Sequence, residues 1–160
     1  MTGPAESAHP HQGIVDRQLA PEWVAWVARK DELLGVFFER DVPQMPADRY
    51  SSIGLDVAEQ ALLARVTCRG TAVDAAALHR FGCYLGEVFV QSLQGFWINA
   101  PLTIGVRPAV RFVYTEIRIS VQAQVYLAVR LRTGQHWSDL HATVSEYCAE
   151  WWQTGQGNLD

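Results

Sequence analysis

The sequence predicts an α+β domain of about five helices packed on a small three-stranded antiparallel sheet. Three observations carry that expectation. Apolar residues recur at helical spacing through most of the first 95 residues and again over the last 40. One helical stripe runs to Gly95 and passes at once into the extended apolar run Phe96-Trp-Ile-Asn-Ala100. Val110, Phe112, Tyr114, Ile117 and Ile119 then follow the alternation of a β-hairpin.

The first helix is expected to open at Pro21, where a missing N–H costs nothing. Its stripe is Trp23, Trp26, Val27, Leu33, Leu34, Phe37 and Phe38, with Lys30 in the gap, and Pro43 and Pro46 end it. A second helix spans about Ile53 to Val66, capped by Ser51 or Ser52, and buries Leu55, Ala58, Leu62 and Val66. Cys68 to Thr71 connects it to a third helix starting near Val73-Asp74. The stripe of that helix is Ala77, Leu78, Phe81, Leu85, Val88, Phe89 and Leu93. Gly95 suits the left-handed position that closes a helix, so a positive φ is expected there. Trp97 is expected to pack at the corner on Phe81, Leu85 and Val88.

The hairpin is predicted to turn at Thr115-Glu116. Tyr114 then faces Ile117 and Phe112 faces Ile119, while Arg111, Val113 and Arg118 fall on the opposite side. Ser120 caps a fourth helix carrying Val121, Val125, Ala128 and Val129, which stops at Thr133-Gly134. A fifth carries Trp137, Leu140, Val144, Tyr147 or Cys148, and Trp151. Residues 1–18 read as a disordered tail, 19–155 as one α+β domain, and 156–160 as a frayed end.

The formal charge of −4 argues against nucleic acid as a partner. No apolar run is long enough to cross a bilayer, and no signal peptide is visible. Three cysteines without close spacing form no disulfide framework. The chain is therefore expected in the cytoplasm, with no membrane partner. Charge is uneven. Arg107, Arg111, Arg118, Arg130 and Arg132 share a segment whose only acid is Glu116, so that segment is +4 and the rest −8.

Signals for chemistry are few. His79, Cys83 and Glu87 stand four apart on one helix. Helical rotation spreads them over roughly 80°, and no fourth ligand matches, so no metal and no cofactor is expected. Gly82 and Gly86 mark close helix packing. Glu87 lies almost opposite the centre of its helix's apolar stripe. It reads as an exposed acid, as a buried carboxylate partnered by Arg80, Arg111 or a backbone donor, or as a functional group.

Trp26, Tyr50-Ser51, Gly54-Leu55, Glu59, Phe81-Gly-x-Tyr-Leu-Gly-Glu87, Gly95-x-Trp97 and Arg132-Thr-Gly134 together resemble a family of small uncharacterised bacterial proteins with a Y-L-G-E…G-x-W block. The likeness runs over roughly Trp23 to Trp152. It implies the α+β fold and an immunity-type or accessory role, and carries no active-site residue. The expected function is non-catalytic binding of an acidic protein, with Arg107, Arg111, Arg118 and Glu87 as candidate contacts. The alternative is a small-molecule-binding protein or unusual enzyme that uses Glu87 and the sheet arginines.

Overall fold

The structure is a computed structural model that describes residues 17–67, 74–100, 105–113 and 115–155. In chain order the elements are α1 (Pro21–Val36), a π-helical turn (Phe37–Asp41), α2 (Ser52–Thr67), α3 (Ala75–Leu93), β1 (Phe96–Asn99), β2 (Pro108–Phe112), β3 (Thr115–Ser120), α4 (Val121–Leu131) and α5 (His136–Thr154). The strands form one antiparallel sheet in the order β1-β2-β3. Among the described residues the fold is thus five helices on a three-stranded antiparallel sheet. Among the described residues no helix is long and apolar enough to cross a membrane.

Helix α3 is the axis of the molecule. It packs against α1, α2, α4, α5, β1 and β2. Phe81 to Phe89 are therefore buried without a break, including Gly82, Cys83, Gly86 and Glu87. A single stripe understates such a helix, because one covered on every side shows no polar face. Asp74 caps its start, accepting from Ala76 N at 3.1 Å. At its end the left-handed residue is Gln94 (φ 55°), and Gly95 has no positive φ. The expectation for Gly95 is corrected: the glycine is needed for space. A Cβ there would lie 2.5 Å from Val110 Cγ1 and 3.2 Å from the Phe89 carbonyl oxygen.

Helix α1 buries Trp23, Trp26 and Leu34, but Val27 is exposed, because α1 is covered along one narrow line. The π turn that follows is closed by Val42 N on Phe37 O at 2.9 Å. It delivers Asp41 into the interior, where Arg65 Nη1 (2.9 Å) and Arg80 Nε (2.5 Å) hold its carboxylate. Ser51 caps α2 through Gly54 N. Gly54 itself leaves room for the Arg49 carbonyl, which accepts from the Tyr84 hydroxyl at 2.6 Å.

The hairpin differs from its expected register. Arg111 pairs Arg118, Val110 pairs Ile119 and Phe112 pairs Thr115, with a bulge between Arg111 and Phe112. The chain turns ahead of Thr115, and Val113 lies exposed in that turn. Thr115 begins β3, its Oγ1 accepting from Ile117 N at 3.1 Å. The slip relative to expectation is two residues. Facing therefore survives: Val110, Phe112 and Ile119 are buried, while Arg111 and Arg118 share the other side. Tyr114 lies outside the described residues, as do residues 1–16 and 156–160. Arg17 and Gln18, expected in the tail, are instead anchored on β1. The Gln18 carboxamide donates to Asn99 O (3.1 Å) and accepts from Asn99 N (3.0 Å), and Asn99 Nδ2 donates to Arg17 O (3.3 Å).

Candidate functional site

Alternation along each strand sends Phe96 and Ile98 of β1, Arg111 of β2, and Glu116 and Arg118 of β3 to the sheet face turned away from α3. The register places Phe96, Arg111 and Arg118 in one row across the three strands. With Arg17, Gln18 and Asn99 these side chains enclose a cavity of about 440 Å³. Among the described residues three guanidinium groups meet one carboxylate there, and Phe96 is 41% exposed beside them.

The electrostatics of this face are unbalanced. Arg111 and Arg118 are direct cross-strand partners, a like-charge pairing that disfavours the sheet. Glu116 approaches Arg111 at 3.5 Å, yet its side chain is 97% exposed, so this pair contributes little and yields readily to another carboxylate. A stability-optimised sheet would place opposite charges across the strands. Local conflicts of this kind are where binding sites are found.

The other expected site residues go elsewhere. Arg107 is exposed and lines a different cavity, with His79, Gln122 and Tyr126. Glu87 does not line the arginine cavity. It is 5% exposed and accepts three hydrogen bonds, from Lys30 Nζ (2.9 Å), Gln91 Nε2 (2.8 Å) and Trp97 Nε1 (3.0 Å). Of the three readings of Glu87, the buried ion pair is the one observed, with Lys30 as its cation. Arg80 stands seven residues away, about 10 Å along the helix, and is committed to Asp41.

The His79, Cys83 and Glu87 row is the seam between α3 and α1. Trp26 Nε1 donates to His79 Nε2 at 2.7 Å, Cys83 Sγ faces the Lys30 carbonyl, and Glu87 meets the Lys30 ammonium. Burial pushes the Cys83 thiol up to about 12, which keeps it in the unreactive protonated form at neutral pH. Among the described residues no group of three or more His, Cys, Asp or Glu is arranged to hold a metal.

The Lys30–Glu87 pair makes stability depend on pH. Burial alone pushes the Glu87 carboxyl up. Hydrogen bonds from Gln91, Trp97 and Lys30, with the Lys30 charge, more than offset this and hold it below the usual carboxylate value. For Lys30, burial alone lowers the ammonium, but its bonds to Asp31 and Glu87 leave it raised. Glu87 therefore contributes stability above the unfolded carboxylate pKa, and that stability is lost as pH falls through the folded value. Lys30 contributes below its unfolded pKa, and loses its contribution as pH rises through its folded one. Urea denaturation of wild type and Glu87→Gln between about pH 3 and 7 should show a stability gap that narrows as the solution is acidified. A gap constant across that range would rule out the linkage.

Sequence reasoning found Arg111 and Arg118 through strand alternation and missed Arg17, Gln18 and Phe96. Arg17 and Gln18 sit in a stretch whose composition reads as tail. Phe96 looks like a core residue until the register shows it pairing with Arg111. No protein-family model matches the chain, and no curated protein or solved structure compared with it matches significantly.

Proposed function

We propose that this is a non-catalytic, cytoplasmic binding protein, of an accessory or immunity type, that engages an acidic protein partner through the outer face of its sheet. The observation that carries this reading is the row Phe96, Arg111 and Arg118, extended by Arg17: among the described residues, an exposed aromatic beside three guanidinium groups with one loosely held carboxylate. Arginine and aromatic side chains are the residues that most often anchor protein interfaces, and clustered charge speeds encounter. The burial and full hydrogen bonding of Glu87 favour this reading over one in which Glu87 acts on a small molecule.

The test separates binding from stability. Arg118→Glu turns the like-charged cross-strand pair into an opposite-charged one, so it should leave the domain unchanged or more stable by about 0.5 kcal/mol. The same change should abolish a salt-sensitive photo-crosslink formed in the source cell from a benzophenone side chain at position 96. A benzophenone at exposed position 24 on α1 serves as the control. A crosslink that persists at high salt and in Arg118→Glu would place the interface elsewhere.

A further inference from the structure

A second concavity lies apart from the sheet face, formed where α1, α3, the lead-in to β2 and the start of α4 meet. It has two lobes, of about 350 and 440 Å³, which share His79 and Val106. Among the described residues each lobe carries one arginine: Arg29 beside Trp26 in the first, Arg107 beside Tyr126 in the second. Both arginines are exposed, and among the described residues neither makes an ion pair. Among the described residues Glu22 is the only acid lining either lobe.

The chemistry at the join is fixed by Trp26. Its indole N–H donates to His79 Nε2, so the neutral imidazole carries its hydrogen on Nδ1 and remains a donor through that atom. Partial burial, together with the charges of Arg29 and Arg80, lowers the His79 pKa and keeps the ring neutral at physiological pH. The groove therefore offers a cation in each lobe, a neutral donor at the join, and walls of tryptophan, valine, proline and tyrosine between them. Lobes of this size are in the range of small-ligand sites, in which an apolar lining supplies affinity and a few polar groups fix orientation.

We infer that this groove binds a small organic dianion with an apolar body, one carboxylate at Arg29 and the other at Arg107. Among the described residues the site shares no lining residue with the arginine face of the sheet, and it stands or falls independently of the protein-binding reading.

The experiment uses the full chain and a homologous series of α,ω-dicarboxylates from succinate to sebacate, with hexanoate and inorganic phosphate as comparators. Binding is followed by tryptophan fluorescence and by calorimetry. A two-ended site predicts saturable binding with an optimum at one chain length, and weaker binding of hexanoate and phosphate. Arg29→Gln and Arg107→Gln should each weaken the optimal dicarboxylate by about tenfold or more, the loss expected for one charge-assisted contact. Each should also abolish the chain-length optimum. Arg111→Glu/Arg118→Glu should bind it as wild type does. Absence of saturable binding, affinity independent of chain length, or a loss that follows Arg111 and Arg118 would each overturn the assignment.

Discussion

Glu59→Ala should destabilise the protein by about 4 kcal/mol, from two orphaned N–H groups and the cavity left behind. Glu59 lies on α2 and is completely buried. Its carboxylate accepts from His136 N (3.1 Å) and Trp137 N (2.8 Å), the first two residues of α5. Gln135, at the cap position, makes no side-chain cap bond, so the start of α5 is held from another helix. A carboxylate there also meets the positive end of the helix dipole. Trp137 is fully buried, and its indole donates to Gln124 O, so loosening the first turn of α5 disturbs a large core aromatic. Glu59→Gln keeps the volume but has one acceptor oxygen and should lose about half as much. Chemical denaturation measures both. Losses below about 1 kcal/mol for the alanine variant would mean the turn finds other acceptors.

The second large effect belongs to Gly86 and Trp97, and its signature is a change of sign. Trp97 packs against the core cluster that includes Phe81, Leu85 and Val88. It lies over Gly86, edge-on to Trp26 with centroids 5.0 Å apart, with its indole on Glu87. A Cβ on Gly86 would enter the Trp97 ring, 2.6 Å from Cζ2. Gly86→Ala alone should therefore cost about 2–3 kcal/mol, by expelling the ring and breaking its bond to Glu87. Trp97→Ala should cost about 3 kcal/mol, at the low end for tryptophan because the side chain is only half-buried. In the Trp97→Ala background the collision is gone. Gly86→Ala should then stabilise by up to about 1 kcal/mol, through helix propensity alone. A double-mutant cycle reads this directly, and additive effects would show that the ring and the glycine are not coupled.

How much of this was legible beforehand varies from element to element. Helices α1, α2, α4 and α5 each bury one side, so spacing located them to within a residue or two. Helix α3 was located as well, and Gly82 does face a neighbouring helix, but burial on all sides hid the meaning of Gly86 and Glu87. Strand facing survived a two-residue error because alternation has a period of two, and so Arg111 and Arg118 were found together. The register itself depends on the bulge at Arg111/Phe112 and on the Thr115 turn, neither of which has a strong sequence sign. The partner of Glu87 was missed for a simpler reason. Lys30 lies 57 residues away on another helix, and periodicity says nothing about contacts at such separation.

The Gln18 carboxamide acts as a one-residue substitute for a neighbouring strand, since it occupies both backbone groups of Asn99 on the border of the sheet. Exposed borders recruit other chains, and proteins blunt them by local covering. A shortened chain beginning at Leu19 would bare that border beside Phe96 and Ile98. Its first defect would then be colloidal: self-association that grows with concentration, in a domain whose helices and core remain intact.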